Sequence, residues 1–236
     1  MTISQRLAQH YELMNAGVHG FVAPTRVTDD PRDRHEMSLH MAGGGGSVLD
    51  VGAGSGDLAL ALKARYERVI VTELASTCVA HLRKLGFETH EGAIEDGLPL
   101  DPGSLDTVIL NAIVEHLVDP GDALHVLRDL LRPGGELIIT TPNVAKWTRR
   151  VNLLLGRFPS TASANEGLTT YDGRTTDLYD EGHLHYFTYR SLEATLVRAG
   201  FTPVARFGFP GRLARRWPTL WSTDVSVVAR RPPEGG

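Results

Sequence analysis

At 236 residues, with 42% hydrophobic and 22% charged side chains, the chain can bury the core of one α/β domain, and its composition excludes global disorder. A net charge of −4, from 24 basic and 28 acidic side chains, argues against a general nucleic-acid binder, whose affinity comes mostly from phosphate contacts. The single cysteine, Cys78, excludes an intramolecular disulfide, no Cys/His group has zinc spacing, and no apolar run approaches the length of a membrane span.

Met1 to Arg6 lack the apolar stretch of a signal peptide, so a cytoplasmic location is expected. Residues 2–16 carry a helical period through Leu7, Tyr11 and Met14. A second helix is expected near 32–42, after Asp29-Asp30-Pro31 and before the run Gly43 to Gly46. Residues 1–46 thus read as an N-terminal helical cap. From there strands and helices alternate: strand 47–51, helix 56–65, strand 68–72, helix 75–85 with Cys78 facing the core, strand 87–90, strand 105–111, helix 120–131 and strand 136–141. That alternation predicts a parallel sheet with right-handed crossovers and places a binding core at 47–142.

Residues 143–188 break the rhythm. Beyond a helix near 145–155 they are rich in Pro, Gly, Ser and Thr with interspersed aromatics, and they read as a lid over a substrate. Helix 190–199, strand 202–208 and a last, antiparallel strand at 224–229 complete the segment 189–230. Arg230 to Gly236 reads as a frayed tail. No repeat and no long linker divides the chain, so one domain over 1–236 is expected.

The most informative stretch is Val48-Leu49-Asp50-Val51-Gly52-Ala53-Gly54-Ser55-Gly56, followed by Glu73 at the end of the next strand. An apolar run, an acid and three alternating glycines describe a strand turning sharply into a helix, with backbone open to close approach by a ligand. Glu73 stands where it can accept hydrogen bonds from a ribose. The pattern is that of a nucleoside site on a doubly wound sheet. The spacing G-x-G-x-G differs from the dinucleotide fingerprint G-x-G-x-x-G, and Asp57 in the first helical turn would repel a pyrophosphate but suit a cation. No tyrosine has a lysine four residues later, as a short-chain dehydrogenase would need.

These residues resemble the first motif of the class I S-adenosylmethionine-dependent methyltransferases, [DE]-x-G-x-G-x-G. The likeness continues through Ser104-Leu105-Asp106-Thr107-Val108, Val114-Glu115-His116-Leu117 with Pro120, and Leu131-Arg132-Pro133-Gly134-Gly135. Thr141-Pro142-Asn143, Trp147, Arg150 and Gly156-Arg157 are similar to MetW-like proteins of methionine biosynthesis. Gly182-His183-Leu184-His185-Tyr186-Phe187 is similar to the ubiquinone O-methyltransferase-like group. The resemblance implies a Rossmann-like fold, with a mostly parallel seven-stranded sheet, an antiparallel last strand and helices on both faces. It implies S-adenosylmethionine as cofactor and S-adenosylhomocysteine as product. Asp50, Gly52, Ala53, Gly54 and Gly56 would then face the amino acid part and the ribose, with Asp50 bonding the turn's backbone. Glu73 would hold the ribose, Leu74 and Ile94 would sandwich the adenine, and the backbone at Asn111, Ala112 and Ile113 would take the ammonium. The chain departs from the pattern at Ala93, where an Asp usually meets the adenine amino group; backbone at Ala93 and Ile94, or the Glu95 carboxylate, would have to serve.

Methyl transfer onto oxygen needs a base, and His116, just after the fourth strand, is the first candidate, with His185 the second. His183 and His185 are two residues apart and would share a face in a strand, within reach of substrate or of a metal for which the sequence supplies no further ligand. Trp147, Tyr171, Tyr179, His183 and Tyr186 are candidate substrate-pocket walls. The expected function is methyl transfer to a small molecule, on oxygen. A SAM-binding partner protein with little turnover, or transfer to nitrogen or carbon, is the alternative. No nucleic-acid or membrane partner is expected; a second copy or a partner enzyme is. The basic cluster Arg206, Arg212, Arg215 and Arg216 beside Trp217 and Trp221 is either a solvated face or a dock.

Overall fold

The computed structural model describes residues 22–161, 169–171, 174–176 and 182–233; the expected helix 2–16 and Tyr179 lie outside them. Seven strands form one sheet in the order β3-β2-β1-β4-β5-β9-β8. They are β1 (Gly45–Val51), β2 (Tyr66–Glu73), β3 (Glu88–Glu91), β4 (Leu105–Asn111), β5 (Leu131–Pro142), β8 (Thr202–Phe207) and β9 (Asp224–Arg230), with β6 (Thr169–Tyr171) and β7 (Arg174–Thr176) pairing apart as a hairpin. The first five of the large sheet run parallel, and β9 runs antiparallel between β5 and β8.

The central strands are buried on both faces, which is why they read as continuous apolar runs. Their alternation assigns the two layers. Leu49, Val51, Val108, Leu110, Leu137 and Ile139 pack with Leu124 and Leu127 of helix Pro120–Leu130 and with Leu192 and Leu196 of helix Tyr189–Arg198. Val48, Ile109 and Ile138 point the other way, onto Met37 and Leu39 of helix Arg34–Met41 and Leu58 and Leu62 of helix Asp57–Leu62. Cys78 is fully buried in helix Ser76–Lys84. Helix starts follow their caps. Asp33 accepts from the Glu36 N–H at 2.9 Å, and Asp119 accepts from Gly121 and Asp122 N–H at 2.8 and 3.1 Å ahead of Pro120.

Five elements were not anticipated: the hairpin strands β6 and β7, a 3₁₀ turn at Ile94–Asp96 and two short helices, Gly211–Arg216 and Pro218–Trp221. Strand β5 also begins five residues before the expected position 136, because Leu131 already pairs with Leu105 across an irregular register.

The described flanks of the 143–188 insertion are tied to the sheet. Asn143 is fully buried and its amide donates to Ser222 O at 3.0 Å and Thr219 O at 3.2 Å. The guanidinium of Arg149, 5% exposed, donates to Asn143 O at 2.7 Å, Ser160 O at 3.1 Å and Thr223 O at 3.1 Å. Leu184 and His185 N–H both reach Glu115 O, at 2.8 and 3.1 Å. Among the described residues no helix is long and apolar enough to cross a membrane.

Candidate functional site

The strand order reverses between β1 and β4, and open α/β sheets bind ligands at such a switch point, beyond the carboxyl ends of the strands. The glycine turn leaves β1 there. Gly52 has φ +67° and a Cβ on it would lie 2.3 Å from Ile113 Cδ1; Gly54 has φ +53° and a Cβ would meet nothing within 4 Å. Gly54 thus offers bare backbone to a ligand, whereas Gly56 faces Leu82 and serves packing. Replacing Gly52 with alanine should strain the turn and displace Ile113. The expected outcome is a lower melting temperature and weaker cofactor binding, checked by thermal shift with and without ligand; an unchanged profile would mean the turn relaxes freely.

The turn is fastened from β2, and not by Asp50 as its place in the motif leads one to expect. Gly52 and Ala53 N–H donate to Thr72 O at 2.9 and 3.1 Å, and Gly54 N–H donates to Glu73 Oε2 at 2.9 Å. Asp50, expected to do this, is 2% exposed and its Oδ2 has no hydrogen-bond partner among the described residues. β2, through Thr72 O and the Glu73 carboxylate, rather than β1 supplies the acceptors. Burial, with the His35 charge opposing and Asp57 and Glu73 assisting, pushes Asp50 up to about 7. His35, which sequence reading passed over, pairs through Nδ1 with Asp57 Oδ2 at 2.8 Å. Burial pulls its pKa down, but the Asp57 bond and charge outweigh that and raise it. Burial in turn favours a neutral Asp57, and the His35 hydrogen bond overcomes it and lowers that pKa.

Asp50 therefore predicts a pH dependence. The unfolded carboxyl loses its proton near ~3.9, the folded one near about 7. Between those values the native state holds the extra proton, so this group's contribution to stability falls as pH rises through the window. Asp50→Asn should flatten that slope in urea denaturation at pH 5 and pH 8; an equal slope in both proteins would place the titration elsewhere.

A cavity of about 310 Å³ opens over the turn. Nine of the expected cofactor residues line it: Gly52, Gly54, Glu73, Leu74, Ala93, Ile94, Asn111, Ala112 and Ile113. Asp50, Ala53 and Gly56 are not in the lining. Gly92, Glu95, His116 and Leu117, among others, complete it. The residues present fit S-adenosylmethionine. Asn111 Oδ1 is buried without a partner among the described residues, an acceptor suited to an ammonium. Ala112 is held at φ 58° with its N–H on Thr140 O at 2.7 Å, a left-handed backbone that non-glycine residues adopt mostly where a site requires it. Glu95 accepts from Val118 N–H at 3.2 Å and borders the cavity, an acceptor near the position where Ala93 has none.

Beside the cavity His116 meets two groups far from it in sequence. Its ring lies edge-on to that of His183, centroids 4.7 Å apart, and its Nδ1 is 3.3 Å from Gly182 O. Glu115 is 1% exposed; its Oε2 accepts from Thr141 Oγ1 at 2.8 Å, while Oε1 has no partner among the described residues. Burial raises its pKa, against the pull of its own backbone N–H, His183 and Thr141. His183 Nδ1 is 2.6 Å from Thr161 Oγ1. The chain at 182–186 is not a strand, so the expected shared face of His183 and His185 does not form: His183 joins His116 and Glu115, and His185 lies toward Phe187, ring centroids 6.3 Å apart. No spacing signalled this cluster; the link is Glu115 O, which draws in the backbone of Leu184 and His185.

Of the other expected substrate walls, Trp147 and Tyr186 are not in the cavity lining. The rings of Trp147 and Trp221 meet tilted at 53° with centroids 5.8 Å apart, and Tyr186 meets Phe158 edge-on at 5.9 Å. Tyr171 is described as backbone of β6. In the basic cluster Arg206 is paired with Glu193, Arg215 with Asp30 at 3.0 Å, and Arg216 lies over the Trp217 ring, so much of its charge is already engaged.

A family profile described as a methyltransferase domain matches residues 31–206. A protein of Aspergillus novofumigatus named methyltransferase nsrG is 34% identical over 142 residues, covering 54% of this chain and 54% of that protein. A ubiquinone biosynthesis O-methyltransferase of Xylella fastidiosa is 34% identical over 105 residues, 42% of this chain and 43% of that one. The chain thus aligns with about half the length of the curated relatives it matches. In fold it is similar to a SAM-dependent methyltransferase of Methanosarcina mazei, with a TM-score of 0.60 at 18% identity over 84% of this chain and 97% of the other. It is also similar to the [4+2]-cyclase SpnF, with a TM-score of 0.64 at 16% identity over 98% and 96%.

Proposed function

The chain belongs to the methyltransferase-domain family, and from that premise we propose that it transfers a methyl group from S-adenosylmethionine to an oxygen of a small molecule. One observation carries the reading: a single cavity is bordered both by Glu73 with the glycine turn and by His116. Relatives named O-methyltransferases support oxygen as the acceptor. The cofactor supplies an electrophilic methyl group on a positive sulfonium. Glu73 binds the ribose through charge-assisted hydrogen bonds. Leu74 and Ile94 flank the adenine and exclude water, and Asn111 receives the ammonium. Much of the rate comes from alignment, which can contribute roughly 7–11 kcal/mol. The Glu115–His116–His183 cluster, where His116 borders the cavity, eases loss of the acceptor's proton.

Calorimetry tests the reading. S-adenosylmethionine and S-adenosylhomocysteine should bind with 1:1 stoichiometry and NAD should give no more than background heat. Tight NAD binding without S-adenosylmethionine binding would overturn it. The alternative, a SAM-binding partner protein with little turnover, is favoured by one observation: helix Trp147–Leu154 exposes Val151, Leu153 and Leu154, the last at 84%. Turnover with a small-molecule panel would remove that alternative.

A further inference from the structure

Glu115, His116 and His183 each offer one ligand atom, and these atoms lie within 4.8 Å of one another. We propose that they form a binding site for a divalent first-row transition-metal ion set against the cofactor cavity. Ligand bonds of about 2.0–2.2 Å bring such atoms to ~3–4 Å apart, so small side-chain rotations close the site. Two further observations point the same way. Glu115 Oε1 is deeply buried and without a hydrogen-bond partner among the described residues, although its sister oxygen is fixed by Thr141. A carboxylate oxygen in that position calls for a cation. The two imidazoles are also turned as ligands usually are: His116 Nδ1 faces Gly182 O and His183 Nδ1 faces Thr161 Oγ1. Such outer partners fix ring orientation, as they commonly do for metal-ligating histidines.

Two imidazoles and one carboxylate favour zinc, manganese, cobalt or iron in the divalent state over magnesium or calcium, whose preferred shells are all oxygen. Three protein ligands leave coordination positions for an exogenous oxygen. His116 borders the cavity, so the ion would bear on the methyl acceptor; this part rests on the methyl-transfer reading above. A bound hydroxyl loses its proton to solvent more readily, and its oxygen forms the new O–CH₃ bond as the S–CH₃ bond breaks and its electron pair returns to sulfur. The balance is alcohol plus S-adenosylmethionine giving methyl ether, S-adenosylhomocysteine and a proton.

The test is a titration of the full chain, cleared of metal by chelator, with Co²⁺, followed by its visible absorption. The expected result is a signal saturating at one equivalent. Thr161→Val should weaken binding by roughly 10–100-fold, the usual effect of an outer partner. Glu115→Gln and His183→Ala should weaken it further, while His125→Ala, on an exposed face of helix Pro120–Leu130, should leave it intact. S-adenosylmethionine affinity measured on every variant reports that the fold is kept. A signal that does not saturate at one equivalent, that persists in Glu115→Gln and His183→Ala, or that vanishes in His125→Ala would overturn the site. Failure of the wild-type protein to bind S-adenosylmethionine would instead overturn the functional reading, and a saturating Co²⁺ signal would still establish the metal site.

Discussion

Glu73→Ala should weaken S-adenosylmethionine binding by about 1.5–3 kcal/mol from the ribose contacts alone, roughly 10–150-fold, and by more through the turn. Glu73 is 8% exposed, and both of its oxygens are already engaged with backbone: Oε2 with Gly54 N–H at 2.9 Å, Oε1 with Leu74 and Ala75 N–H at 2.7 and 3.2 Å. A carboxylate retains acceptor capacity for ribose hydroxyls beyond these bonds. Truncation removes the ribose partner and orphans three donors that hold the glycine turn and the start of helix Ser76–Lys84 together. Glutamine is not a conservative replacement, because its NH₂ would face an N–H whichever way the amide turned. Glu73→Gln should therefore lose most of what Glu73→Ala loses. Calorimetry on the two variants checks this; unchanged affinity in Glu73→Ala would mean that the ribose binds elsewhere.

His116→Ala should lower kcat by about 10²–10⁴, the range for losing a group that eases removal of the acceptor's proton, with S-adenosylmethionine affinity changed by little. The split follows from position. His116 borders the cavity at the Glu115–His183 cluster, apart from Glu73 and the glycine turn that are proposed to hold the nucleoside. A transition-state role lowers kcat and kcat/KM together without raising KM for the cofactor. His185→Ala should have a much smaller effect, since His185 is neither in the cavity lining nor in the cluster. A His116→Ala enzyme with wild-type kcat would leave alignment alone as the source of rate.

What could be read from the residues was whatever local pattern determines. Strand β4 runs over Leu105–Asn111 as expected, because an apolar run buried on both faces has one register that works. The glycine turn was legible because backbone at positive φ favours glycine whatever surrounds it. Asp50 was misassigned because a motif gives a residue's place but not the direction of its side chain, and here that direction leads toward His35 and Asp57. Helices Gly211–Arg216 and Pro218–Trp221 were missed because six- and four-residue elements carry no apolar period to detect. The Glu115–His116–His183 cluster joins residues 67 positions apart through one backbone carbonyl, and no local signal encodes such a meeting.

Strand β9 has a consequence for synthesis. It is the last strand in chain order, yet it sits between β5 and β8 and buries six of its seven residues. A nascent chain can lay down β1 to β5 while it is still being translated, but β5 keeps an open edge and β8 has no neighbour until Asp224–Arg230 emerges. Unpaired apolar edges are where growing chains associate wrongly. The protein's demand on chaperones should thus fall late in translation, and ribosomes stalled before codon 224 should yield products that aggregate rather than a smaller folded core.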